Sequence, residues 1–257
     1  MLFARLIPAI AANAVIIAGF FGQGWSPGTV LALYWLQTLI GIPLAAILIV
    51  LHRVKTRKLG YYRLARSPDD GKVIVTSSAI LGSFLQSSII FSLAHGVFLA
   101  VILSMMHKGP RAMDPADVKK GLVMLAVILL VTFLVDLVQL RSRPFAWVRQ
   151  RVDSLMRRVL VMHFVIIFGM VAAAFMSNES AGFFGVFIVL KLVADVVAEL
   201  PAPDPQDAPR WLAWIGRQSG KPDAEMNAEW KRIRAEQREG FVQAERTLDE
   251  VLAERAP

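Results

Sequence analysis

Ala181-Gly-Phe-Phe-Gly-Val-Phe-Ile-Val-Leu-Lys-Leu-Val-Ala-Asp-Val-Val-Ala-Glu199 is a nearly unbroken apolar stretch. A helix of about 20 such residues crosses the hydrocarbon core of a bilayer. Three ionisable residues interrupt it, Lys191, Asp195 and Glu199. Their spacing of four sets them on one helix face. An ionisable side chain deep in a bilayer costs roughly several kcal/mol, so it is placed against protein or water and commonly marks function. The stretch therefore reads as a membrane-crossing helix with one polar face, and the rest of the chain as helices that surround that face.

Composition agrees. Of 257 residues, 56% are hydrophobic and 19% are charged, where soluble domains average about 45–50% apolar. The apolar residues clump into long runs, which is a membrane pattern. Cysteine is absent, which excludes disulfides, thiolate metal ligands and a thiol nucleophile. The net charge of +8 does not point to nucleic acid, because of where it lies. Residues 1–199 carry 19 Lys/Arg against 9 Asp/Glu, and residues 200–257 carry 9 against 11. The surplus sits between apolar runs, where it sets topology and attracts anionic lipid.

The expectation is an all-α, polytopic membrane helix bundle of about six transmembrane helices, near residues 2–22, 29–51, 80–106, 121–140, 159–176 and 181–199. A cleaved signal peptide is the rival reading of the first run, given Ala11-Ala12-Asn13-Ala14, but apolar sequence continues to Phe21. Ser26 and Pro27 suit the N-cap and first turn of the second helix, as Asp114 and Pro115 do for the fourth. Trp25 is expected at the headgroup level. Gly41 and Pro43 suit a kink or a close neighbour. The run 73–106 is too long for one straight crossing, since 34 residues of helix span roughly 50 Å. Either the helix projects beyond the bilayer, or Val73–Ile80 forms a separate surface piece. Segment 141–158, with six arginines among Phe145, Trp147 and Val148, reads as an amphipathic helix on the membrane surface.

Residues 200–257 form a cytoplasmic helical tail: a connector with Pro201, Pro203, Pro205 and Pro209, then a charged amphipathic helix. Trp211-Leu-Ala-Trp214-Ile215 has the composition to dip into the interface. Met226, Trp230, Ile233, Leu248 and Val251 form an apolar stripe within 222–255. That stripe packs on the basic loops, pairs with itself, or binds a protein partner. Under the positive-inside rule, segments 53–72 and 141–158 hold seven and six Lys/Arg, and the opposite loops hold four in total. Both termini are then cytoplasmic, in the inner or plasma membrane of a prokaryote.

Orientation sorts the intramembrane polar residues by depth. Asn13, Gln37, His95 and Lys191 fall near mid-depth. Asp136, His163 and Asp195 fall about five residues from a cytoplasmic end, roughly 7 Å deep. Bland readings stand beside functional ones. Asp136 pairs with Arg141 or Arg143, or joins an ion pathway. Lys191 and Asp195 neutralise each other, or line a site. Asn13 is an interhelical hydrogen bond. His95 is a helix contact beside Gly96 and Ser92, and His163 a packing residue, or each faces a ligand. His163, Asp195 and Asp136 also have the types for a two-carboxylate, one-histidine metal site, but no His-x-x-x-His or Glu-x-x-His spacing supports it. Gly-x-Ser-x-Gly, His-Glu-x-x-His, a Walker motif and Gly-x-Gly-x-x-Gly are all missing.

Trp25-Ser26, Tyr34-Trp35-x-Gln37 and Gly41, then His95-Gly96-x-Phe98, His163 and Lys191-x-x-x-Asp195, resemble an uncharacterised family of prokaryotic multispan membrane proteins, a domain of unknown function. The likeness covers about residues 10–199 and leaves out the tail. It implies a multi-helix membrane fold and brings no activity with it. Gln37 stands where the family pattern carries glutamate, so an ion or proton role of that carboxylate does not transfer here.

The leading expectation is a membrane protein that binds or passes a small solute, ion or proton through a polar interior built from Lys191, Asp195, His95, His163, Gln37 and Asp136. The alternative is a membrane scaffold or assembly subunit acting through its tail. The weaker alternative is a metal-dependent membrane enzyme, which no catalytic signature supports. No cofactor is expected. The expected partners are the lipid bilayer and, through 222–255, a protein or a second copy.

Overall fold

The computed structural model describes residues 2–66, 73–105, 112–154, 180–200 and 207–254. The fifth expected span, 159–176, and His163 within it lie outside the described residues. The structure is mostly helical, and its contacts divide it into two units.

The first unit holds residues 1–54, 79–143 and 147–200. Its helices are α1 (Leu2–Ile17), α2 (Pro27–Thr56), α3 (Ile80–Met105), α4 (Pro115–Val138), α5 (145–154 as described) and α6 (Ser180–Glu199). Among the described residues three helices, α2, α3 and α4, are long and apolar enough to cross a membrane. One core joins α1, α2, α3, α4 and α6, including Ile16, Leu33, Tyr34, Leu99, Leu125 and Ile188. Helix direction follows from the pairs that meet. Asn13 bonds Asp195, while the Phe21 ring lies against Gly185, so α1 and α6 are antiparallel. Leu33 meets Gly121, and His52 near the end of α2 bonds the Arg143 carbonyl past the end of α4, so α2 and α4 run the same way.

Local chemistry sets the helix starts. Ser26 Oγ accepts from Thr29 N at 3.1 Å, and α2 begins at Pro27. Asp114 accepts from Ala116 N at 2.8 Å, and α4 begins at Pro115. Both match the sequence reading. Asp114 N also donates to Thr29 Oγ1 at 3.0 Å, which ties the two helix starts together. At the end of α1, a π-type turn (Ala18–Gly22) leads into Gly24, whose φ of 72° suits glycine.

Trp25 is buried. Its indole lies where Cβ atoms on Gly19 and Gly121 would stand, 2.1 and 2.8 Å from the ring. Two missing side chains make the slot. The described part of segment 141–158, which ends at 154, departs from the surface-helix reading. Phe145, Trp147 and Val148 are buried, so these apolar residues of α5 face protein instead of lying on lipid.

The second unit holds residues 55–78, 144–146 and 201–257, and so joins most of the first basic loop to the tail. It contains an antiparallel hairpin, β1 (Tyr62–Arg66) with β2 (Val73–Ser77), in the register Tyr62 to Ser77 and Leu64 to Val75. This is the departure from an all-α fold, and the physical reason is in the sequence: Val73-Ile-Val-Thr76 is β-branched and favours strand. Val73–Ser77 is therefore a piece separate from α3, which begins at Ile80. The tail forms α7 (Arg210–Gln218), α8 (Asp223–Glu245) and α9 (Leu248–Glu254), not one helix over 222–255. Thr247-Leu-Asp-Glu250 makes a capping box that starts α9. Thr247 N donates to Glu250 at 2.9 Å, and Glu250 N donates to Thr247 Oγ1 at 3.3 Å. The backbone donor at Thr247 holds the Glu250 carboxyl below its ordinary range. Tail and loop pack together: Lys58 Nζ donates to the Glu245 carbonyl at 2.5 Å, Leu59 N to Arg246 O at 2.7 Å, and Leu248 N to Arg57 O at 2.9 Å.

Gly121→Val should destabilise the detergent-solubilised protein by about 1–3 kcal/mol, the usual cost of overpacking. Gly22→Ala, where a Cβ would meet nothing within 4 Å, should be near neutral. Thermal unfolding followed by tryptophan fluorescence checks the contrast.

Candidate functional site

The polar residues of the first unit separate into three places. The first is closed. On α6, Lys191 Nζ donates to Asp195 Oδ2 at 2.5 Å, one helical turn apart. Asn13 Nδ2 on α1 donates to the same oxygen at 2.8 Å and to Ala9 O at 2.8 Å. Lys191 Nζ also lies 4.3 Å from the centroid of the Tyr34 ring, a cation–π contact. Tyr34 in turn packs on Phe187, with ring centroids 5.9 Å apart. Asn13, Tyr34, Lys191 and Asp195 are all at most 5% exposed. Within this cluster the ammonium and the carboxylate neutralise each other, and the amide orients the acceptor.

The second place is a cavity of about 90 Å³. Pro8, Ala9 and Ala12 of α1 form one wall. Gln37, Gly41, Leu44 and Leu48 form another, at spacings that share one face of α2. Thr132 and Asp136 of α4 and Arg151 and Ser154 of α5 complete its polar lining. Arg151 donates to Asp136 Oδ2 at 2.7 Å. Asp136 therefore pairs with Arg151, and not with Arg141 or Arg143 as the sequence suggested. Nearby arginines in sequence were the wrong guide, because the turn Leu140–Ser142 carries the chain back and α5 brings Arg151 up beside Asp136. Thr132 Oγ1 donates to Ile128 O and Ser154 Oγ to Arg151 O, so each hydroxyl keeps acceptor capacity. The space suits a few waters or a small polar solute. It is far below the about 300–1,000 Å³ of drug-sized pockets.

The third place is α3. Phe84, Ser88, Ser92, His95, Leu99 and Ile102 are buried on one face. Trp35 Nε1 donates to Ser92 O at 3.1 Å, and a Cβ on Gly96 would stand 2.8 Å from the Trp35 ring. His95 thus sits buried beside a tight contact of α2 with α3.

The two expected tiers are therefore recombined. Lys191 and Asp195 meet Asn13. Gln37 and Asp136 line the cavity. Among the described residues no three His, Asp or Glu side chains come together as a metal site, and His163 lies outside those residues. Sequence reasoning missed Arg151, Thr132 and Ser154. Thr132 lies one turn before Asp136 on the same face, a signal that was available. Nothing local marks Arg151.

Residues 3–210 match the family of unknown function DUF6498. The chain belongs to this family. No curated protein and no solved structure matches it. The family match takes in every residue of the three polar places and stops at the first residue of α7.

Breaking the closed pair should be severe. Lys191→Met or Asp195→Leu alone leaves a buried charge and should destabilise by about 3–5 kcal/mol. The double variant, with both charges gone, should recover most of that loss. Denaturant unfolding in one detergent checks it; additive losses would show that the two side chains do not act as a pair.

Proposed function

We propose that the chain is a six-span protein of a prokaryotic cell membrane, with cytoplasmic termini, and that it admits a small polar solute or ion into the Gln37–Asp136–Arg151 cavity. The observation that carries the membrane reading is an inverted distribution of polarity. Asn13, Ser88, Ser92, His95, Lys191 and Asp195 are buried, while Leu93, Val97, Val127, Val138 and Val193 are more than half exposed. Water disfavours contiguous apolar faces of that kind, and a bilayer accepts them. Helices α4 and α6 run in the same direction: α6 is antiparallel to α1, and so is α4, whose Asp136 lines the cavity with Pro8 while Gly121 and Gly19 share the Trp25 ring. An additional crossing between them, near 159–176, satisfies that direction. The turn at Trp25 and the start of α4 meet, through Asp114 with Thr29 and Lys120 with Gln23. This supports placing the two loops on the same, outer side.

The cavity carries the solute reading. Gln37, Thr132, Ser154 and the Asp136–Arg151 pair line it, and that pair offers both charge signs to a small guest. The Lys191–Asp195 pair is assigned a structural role in this reading.

Proteoliposomes with a trapped pH dye test it, under imposed gradients of protons, small alkali cations, chloride or acetate. The wild type should raise permeability to at least one of these. Thr132→Trp, which fills the cavity, should return it to the level of protein-free vesicles while keeping the wild-type elution profile. Permeability absent for the whole panel, together with no thermal shift from any of its ions, sinks the proposal.

A scaffold role keeps one observation in its favour. Helix α8 buries none of its residues, and Phe241 and Val242 are exposed. If that surface pairs with a second copy, deleting 222–257 should convert the detergent-solubilised protein from dimer to monomer by light scattering.

A further inference from the structure

Helix α7 is built the wrong way round for a helix in water. Its inner face is made of Leu212, Ala213 and the buried Gly216, and a Cβ on Gly216 would stand 2.6 Å from Met226 of α8. Ala208 N donates to Asn227 Oδ1 at 2.8 Å, which holds the entry to the helix. A glycine turn holds its exit: Gly220 has φ 75°, Lys221 N bonds Gly216 O at 2.9 Å and Gly220 N bonds Arg217 O at 3.1 Å. The register of α7 on α8 is thus fixed at both ends. That register turns Trp211, Trp214 and Ile215 outward, at 63%, 58% and 45% exposure. Their spacing of three and four makes one face.

We infer that this face seats α7 in the headgroup boundary of the bilayer that the chain itself crosses, on the cytoplasmic leaflet. The inference rests on the membrane reading above. Three features select lipid as the occupant. Indole rings with an apolar body and one N–H are the side chains that settle at that boundary. Arg210 flanks Trp211, and a cation there favours anionic headgroups. The tether is short: ten residues separate Glu199 from Arg210, so even fully extended the start of α7 stays within about 40 Å of the end of α6. A short amphipathic helix held that near a membrane meets it at high effective concentration. With α7 seated, the hairpin of α7 and α8 becomes a platform anchored to the membrane, and Asp223 is held beside Arg217 at 2.8 Å at its water-facing edge.

The absence of cysteine allows single-cysteine labelling of the full chain. A fluorophore is placed at Ile215→Cys, with Val127→Cys on the exposed face of α4 and Glu236→Cys on α8 as references, in vesicles containing phosphatidylglycerol. The Ile215 label should be quenched by doxyl-labelled lipid and shielded from aqueous iodide severalfold relative to the Glu236 label. Adding Trp211→Ser and Trp214→Ser should expose it to iodide again. A label at 215 that behaves like the one at 236 overturns the inference. So does a label shielded from iodide but untouched by doxyl lipid, because protein then covers the face. If the label at 127 is itself not quenched by doxyl lipid, the membrane reading fails instead, and this inference with it.

Discussion

The interaction on which the first unit depends is the bond from the Asn13 amide to the carboxylate that Asp195 shares with Lys191. A charge pair inside an apolar bundle loses hydration that its mutual attraction only partly restores. Such a pair is therefore a poor source of net stability. It is an exacting source of specificity, because the helix that carries it must turn it toward a polar partner. Asn13 is that partner on α1, and the Tyr34 ring closes over Lys191 from α2. Those two contacts decide which helices flank α6. The apolar core of Ile16, Leu33, Leu125 and Ile188 packs around that choice but does not make it, since leucine against isoleucine discriminates little between neighbours.

Close approach is the second constraint. Trp25 occupies the space left by Gly19 and Gly121, and Trp35 lies on Gly96. In a bundle whose outer faces are apolar, burying more apolar area adds little, and tight van der Waals contact with small residues carries the association. The short motifs singled out in the sequence are accounted for in these terms. Trp25 and Trp35 are the large halves of slot contacts, Ser26 caps α2, Tyr34 covers a buried ammonium, and Gly96 is the small half of a contact. Gln37 and Gly41 are different in kind, because they line a cavity.

That difference shapes the functional reading. In the Lys191–Asp195–Asn13 cluster the two charges neutralise each other, while Asn13 Oδ1 and the Tyr34 hydroxyl find no hydrogen-bond partner among the described residues. Gln37, Thr132, Ser154 and the Asp136–Arg151 pair instead surround space. The ionisable residues that stand out first in the sequence, Lys191 and Asp195, bond to each other and to Asn13, and the quieter ones line the cavity. The tail belongs to neither. Its helices pack with the hairpin and the basic loop in a unit of their own, through backbone bonds at Arg57, Leu59 and Arg246.

The sequence by itself determined what depends on near neighbours in the chain. Helix extents follow from runs of apolar residues, as at Pro27–Thr56 and Ile80–Met105. The caps at Ser26 and Asp114 follow from hydrogen bonds two or three residues long. The Lys191–Asp195 pair follows from one helical turn. The capping box at Thr247 was equally legible, and it would have divided the tail helix correctly. Only the tertiary structure decided that Asn13 meets Asp195 across 182 residues, that Arg151 displaces Arg141 and Arg143 as the partner of Asp136, and that Trp25 is buried. Each of these depends on which helices are neighbours and on where side chains are small enough to let them approach, and no spacing along the chain encodes that.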